Sequence, residues 1–69
     1  MSPHFSVVLI DERLRAEHTL VGYETRDEAA AHVRRYIAHT LNPHNWVHVY
    51  HGAWWNERMQ TRICIRPLD

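Results

Sequence analysis

Several residue types are scarce in this 69-residue chain: it has no lysine, one cysteine and two glycines. Cys64 has no second cysteine to bond with, which excludes a scaffold held by internal disulfides. The longest aliphatic run, Val7 to Ile10, falls far short of the roughly 20 residues that cross a bilayer. The N-terminus also lacks the basic and apolar regions of a secretory signal. We therefore expect one cytoplasmic domain over residues 1–69.

Catalytic patterns are missing as well. A domain of this length buries only about 60% of its unfolded surface, so it has little room for a deep substrate pocket. Arg62 and Arg66 flank Cys64 on one face of a strand and would favour a thiolate, but no oxyanion-hole signal accompanies them. The sequence predicts a protein that is not an enzyme.

Metal ligands are badly spaced for a shared ion. His44 and His48 would lie about 13 Å apart on a strand, and no Cys-x-x-Cys or His-Glu-x-x-His motif is present. The fold could form a metal site only from ligands distant in the sequence, such as His48 with Cys64. We predict no metal and no other cofactor.

Charge is balanced in total but unevenly distributed. Residues 1–28 contain six acids and three arginines, whereas residues 29–69 contain five arginines, two acids and five of the seven histidines. Since histidine titrates near pH 6.5 in model peptides, acid solution adds positive charge mainly to the second part. A contact made there is expected to depend on pH.

The first third of the chain favours two strands. His4 to Ile10 is typical of a buried strand, which we expect at the centre of the sheet. Residues 11–20 fit either a short helix or a strand, and their alternation favours a hairpin whose second strand ends near Glu24. The alternation of apolar and polar residues shifts by one position between Leu20 and Val21, next to Gly22. This shift indicates a bulge or a bend.

A capping box, Thr25 to Glu28, marks the start of a helix of about 15 residues. Its apolar face is predicted from spacings of three and four, and its opposite face is polar. Pro43 ends the pattern. The predicted apolar positions are Ala29, Ala30, Val33, Ile37 and Leu41, and the polar ones are His32, Arg35 and His39.

Two more segments alternate with a period of two: residues 45–53 and 58–67, joined by a loop over 52–57. The fold class is therefore α+β, a four-stranded antiparallel sheet in β-β-α-β-β order with one helix on one face. The residues predicted to face the helix from these segments are Val47, Val49, Met59, Ile63 and Ile65. Those predicted on the open face are Trp46, His48, Tyr50, Arg58, Gln60, Arg62, Cys64 and Arg66.

Aromatic and arginine side chains on that face suggest a binding surface, because these types dominate interface hot spots. Trp54 and Trp55 in the loop strengthen the prediction, since exposed tryptophan pairs are uncommon. The alternative is that the rings pack over the aliphatic parts of the arginine side chains as cross-strand pairs and bind no partner. The predicted partner-binding residues are Trp46, His48, Tyr50, Trp54, Trp55, Arg58, Arg62 and Arg66.

The sequence thus predicts a protein-binding module, a small inhibitor or adaptor that acts by surface occlusion and forms a homodimer. Its element order resembles the layout of several small phage-encoded inhibitors, including some anti-CRISPR proteins, without sharing a diagnostic motif. The alternative is binding of single-stranded nucleic acid, RNA or DNA, in which the open-face rings stack on bases and the arginines contact phosphates. No membrane or small-molecule substrate is expected.

Overall fold

Five antiparallel strands and one helix build the part of the chain that the computed structural model describes, residues 4–68. The elements are β1 (Phe5–Asp11), β2 (Ala16–Tyr23), α1 (Arg26–Ala38), a 3₁₀ turn (Pro43–Asn45), β3 (Trp46–Tyr50), β4 (Ala53–Asn56) and β5 (Thr61–Pro67). The strand order is β2-β1-β5-β4-β3, and α1 packs on one face of the sheet. The predicted α+β class with an antiparallel sheet is confirmed, whereas the count of four strands is wrong.

The additional strand is β4, which lies in the segment predicted to be a loop. It pairs with β3 on one side and β5 on the other, so residues 46–67 form a three-stranded meander. The turn that reverses the chain is residues 57–60. Because β5 also pairs with β1, β5 is the central strand, and the prediction that the first strand is central is wrong.

The first hairpin confirms that residues 11–20 contain a strand and not a helix. The Asp11 carboxylate accepts the Arg13 and Leu14 N–H groups at 3.0 and 3.1 Å, which stabilises the turn after β1. Pairing shifts from Val7 opposite Val21 to Val8 opposite Thr19, leaving residue 20 as the extra residue of a bulge. The predicted bend near Gly22 is thereby confirmed.

Thr25 caps the helix as predicted. Its Oγ1 accepts the Glu28 N–H at 3.2 Å and donates to the Glu28 carboxylate at 3.0 Å, so the carboxylate contacts the hydroxyl. The helix ends at Ala38, and the Thr40 hydroxyl donates to the Ile37 carbonyl at 2.6 Å. Leu41 lies beyond the helix and is 98% exposed, so its assignment to the apolar face is wrong.

The core lies between α1 and the sheet and includes two of the three tryptophans. Ala29 and Val33 supply the helix side, and both are fully buried. Each buried indole removes a large apolar area from water, which matters in a domain with so few core residues. The buried cluster is Val7, Ala29, Val33, Trp46, Trp54, Ile63 and Ile65.

Candidate functional site

The open face of the sheet, the side away from α1, is defined by strand alternation and register. Ile63 is fully buried under the helix, so Arg62 and Cys64, its neighbours on β5, face the opposite side. Register then places Trp55 beside Arg62, and Val8 beside Cys64. The predicted faces of the last strand are therefore confirmed.

The predicted faces of β3 are reversed from Trp46 to His48. His48 pairs with Trp54, which pairs with Ile63, so all three lie on the helix side. The His48 and Trp54 rings stack at 4.9 Å with 14° between their planes. Trp46 shares this side and is 9% exposed. Packing of two indoles against α1 decides this orientation, because they bury more apolar area than valines would.

The remaining predicted binding residues lie in three places: on the open face, in the turn after β4 and in the core. A bulge between His48 and Tyr50 turns Tyr50 to the open side, opposite Ala53. Arg58, Met59 and Gln60 lie in the turn after β4, so their assignment to sheet faces is wrong. Trp54, predicted in an exposed loop, is 7% exposed within the core. The predicted binding residues that do share the open face are Tyr50, Trp55, Arg62 and Arg66.

The open-face arginines are already neutralised. Arg62 lies over the Trp55 ring at 5.7 Å and within 3.8 Å of the Glu12 carboxylate. Arg66 donates to Glu17 at 2.9 Å, and this hydrogen bond and the charge of Glu17 raise the pKa of Arg66 above its ordinary value. Arg66 and Glu17 stand on the strands either side of β1, and Val8 between them is buried.

An exposed apolar strip follows β3 at the edge of the sheet. Val47, Val49 and Tyr50 are 58%, 55% and 61% exposed, although Val47 and Val49 were predicted to face the helix. Among residues 4–68, β3 pairs with β4 alone, which leaves its outer backbone groups without a strand partner. Sequence alternation cannot show which strand is at an edge, and for this reason it did not find the strip.

The metal-ligating pair left open by the sequence is separated. His48 lies on the helix side of the sheet, and Cys64 lies on the open face, so one ion cannot contact both. Over the described residues, no group of three or more histidine, cysteine or acidic side chains is placed to hold a metal.

Comparison with known protein families, curated proteins and solved structures finds no match to this chain. Over residues 4–68, none of the helical structure is long and apolar enough to span a membrane. The molecule is a small α+β protein with one covered sheet face, one open face and an apolar edge.

Proposed function

We propose that this protein is a non-enzymatic protein-binding module that forms a homodimer through the β3 edge. The observation that carries this proposal is the difference between the two edges of the sheet. Strand β2, at one edge, carries Glu17 in an ion pair, and a charged residue on an edge strand discourages pairing with another chain. Strand β3, at the other edge, has no charged residue and no proline.

The sequence of β3 fits a second copy of itself. It reads aromatic, valine, histidine, valine, aromatic, and His48 is its middle residue. Antiparallel pairing about a two-fold axis at His48 sets Val47 of each copy opposite Val49 of the other. An interface of this kind uses the same surface on both subunits, as closed dimers do. The exposed valines would then be covered on both sides of the axis.

Charge does not oppose the association. The chain has a formal net charge of zero at neutral pH, so two copies meet little long-range repulsion. The arginines nearest the strip on the open face are paired or stacked within the same chain, as described for Arg62 and Arg66. On the open face, pairing of β3 edges therefore brings apolar side chains together without desolvating an unpaired arginine.

Dimerisation would join two open faces into one continuous surface. Tyr50 and Trp55 would then lie near its centre, and both types are common interface hot spots. This surface suits a cytoplasmic inhibitor or adaptor that blocks part of a larger protein, of the kind that phages encode. Replacement of Trp55 tests partner binding, whereas Trp54→Ala would remove a core side chain.

Binding of single-stranded nucleic acid has weaker support. The arginines expected to contact phosphates, Arg62 and Arg66, face Glu12 and Glu17 in the same molecule. A phosphate would have to displace these carboxylates. If nucleic acid were the partner, an Arg62→Gln and Arg66→Gln double variant would bind oligothymidine with a smaller salt dependence, by about one unit per lost phosphate contact.

Light scattering coupled to size-exclusion chromatography tests the dimer. The wild-type chain of 8.3 kDa is expected to elute with twice that mass. Val49→Lys places a charge on the pairing edge and should give the monomer. Leu14→Lys is the matched control, because Leu14 is an apolar and more exposed residue in the turn between β1 and β2, on the far side of the sheet from β3.

The control should remain dimeric. A monomeric wild-type chain at all concentrations would overturn the proposal, as would loss of the dimer in both variants. A high ratio of 260 to 280 nm absorbance across the wild-type peak would show bound nucleic acid and favour the alternative.

A further inference from the structure

A groove runs between α1 and the β3–β4 hairpin, on the side of the sheet away from the open face. It consists of two adjoining cavities of about 300 and 100 Å³, which share Arg34, His48 and Trp54. This total lies near the lower limit of ordinary small-molecule pockets. The groove therefore has room for a small organic ligand.

One end of the groove is cationic. Arg26 and Arg34 approach from α1, and His48 and His51 approach from the hairpin. Asp27 is the acidic residue at this end, yet neither arginine lies in an ion pair with it. The open-face arginines have carboxylate partners, whereas over residues 4–68 the groove arginines have none.

The Arg26 guanidinium lies at the groove wall, close to the backbone of the hairpin at Gly52. Its guanidinium lies 5.3 Å over the Phe5 ring, and its Nη1 would be 3.3 Å from a Cβ at Gly52. Gly52 has a φ of +81°, a conformation that glycine adopts without strain. The absent side chain at this position lets the guanidinium approach the hairpin closely.

The other end of the groove is apolar. Ile37 and Ala38 line it from the helix, and Pro43 and Trp46 line it from the chain before and at the start of β3. The exposed His48 ring, stacked on Trp54, lies between the two ends and offers a flat surface. A ligand that fits both ends has a doubly negative head and a planar apolar body.

We propose that this groove binds a small phosphate monoester that carries an aromatic ring. The phosphate would accept hydrogen bonds from Arg26, Arg34 and His51, since arginine donates two parallel bonds to phosphate oxygens. The ring would stack on His48 and extend toward Pro43. This proposal does not depend on the β3 dimer, because all these residues belong to one chain.

A second depression, on the outer side of α1, is larger but less suitable. It has a volume of about 480 Å³ and is lined by residues such as His32, Arg35 and His39. The His39 Nδ1 already lies 2.7 Å from the Arg35 carbonyl, and the His32 Nδ1 lies 3.0 Å from the Tyr23 hydroxyl. Its histidines thus have partners within the chain.

The test titrates the full-length protein with phenyl phosphate, inorganic phosphate and phenol in turn, followed by amide chemical shifts. Phenyl phosphate should bind about tenfold more tightly than inorganic phosphate, with the largest shifts at Ala30, Arg34 and Gly52. Phenol alone should not saturate the site. Equal affinity for phenyl phosphate and inorganic phosphate would contradict the aromatic half of the proposal, and shifts confined to other surfaces would overturn it.

Two adjacent arginines give a matched pair of variants. Arg34→Gln removes a groove donor and should weaken phenyl phosphate binding about tenfold, because a charge-assisted hydrogen bond is lost. Arg35→Gln removes the same charge from the outer side of the helix and should leave affinity within about twofold. If both variants lose affinity equally, net charge and not the groove accounts for binding, and the proposal fails. Amide spectra of the free variants confirm that each remains folded.

Discussion

The Trp46 side chain makes both a favourable and an unfavourable contribution to the stability of the fold. Its ring is buried against the helix side of the sheet, but its Nε1 has no hydrogen-bond partner among the described residues. A buried donor without a partner costs about 1–3 kcal/mol. The apolar area of the ring stabilises the fold, and its N–H opposes part of that gain.

This balance makes Trp46→Phe a mild substitution. Phenylalanine keeps much of the ring area and removes the unpaired donor, so the free energy of unfolding should change by less than about 1 kcal/mol. Trp46→Ala should cost about 3–5 kcal/mol, because it leaves a cavity. Urea denaturation measures both values. An equally large loss in the phenylalanine variant would show that the Nε1 group has a stabilising partner.

At the scale of elements, an ion pair links two strands that are not neighbours in the sheet. Arg66 on β5 and Glu17 on β2 meet across β1 and cover Val8. The pKa of Arg66 is raised by its hydrogen bond to Glu17 and by the charge of Glu17, so the pair stabilises the folded state wherever Glu17 is ionised, and the arginine's contribution is lost only in strong alkali. Arginine deprotonation therefore produces no change near neutral pH.

Glu17→Gln tests the strength of this link. Both side chains are about half exposed, and exposed pairs contribute about 0.5 kcal/mol. The variant should lose about that much free energy of unfolding at low salt, and less near 1 M salt, where screening acts within about 3 Å. Glu24→Gln, an exposed residue outside the pair, is the control. A loss that is insensitive to salt would indicate that Glu17 acts through packing.

At the scale of the whole molecule, the proposed dimer places two histidines at its axis. His48 of each copy would face the other on the helix side of the joined sheet. The charged groups that line the groove with it are Arg26, Arg34 and Asp27 from α1 and His51 from the hairpin, of which Asp27 alone is acidic. Two copies of this mainly positive set would meet at the axis, and Asp27 offsets only part of their repulsion.

Acid should therefore weaken the dimer. Histidine side chains in general gain positive charge as the pH falls from about 7.5 to 5.5, and like charges placed opposite each other repel, so the dissociation constant should rise about fivefold over this range. Light scattering over a concentration series measures this change, in buffers without phosphate or sulfate, because these anions would occupy the groove.

His48→Gln should dimerise with little dependence on pH, whereas His44→Gln should behave as the wild type does. An unchanged dissociation constant for the wild type across this range would show that the histidines lie away from the interface.

The local signals in the sequence were reliable where neighbouring residues decide the structure. The helix cap at Thr25, the bulge near Gly22 and the alternation of β5 all depend on short-range contacts, and the structure confirms each. The strand over residues 53–56 was missed because its four residues show no alternation that sequence alone would reveal. It forms because β3 and β5 supply hydrogen bonds on both sides.

The sequence by itself determined the α+β class, the helix start and the faces of the last strand, because hydrophobic period and capping chemistry act within a few residues. Only the tertiary structure decided which strands lie at the edges and which face of β3 meets the helix. Those outcomes depend on the register between β3, β4 and β5, and on the burial of two indoles under α1. The apolar edge and the cationic groove, which support the two proposals, arise from that packing.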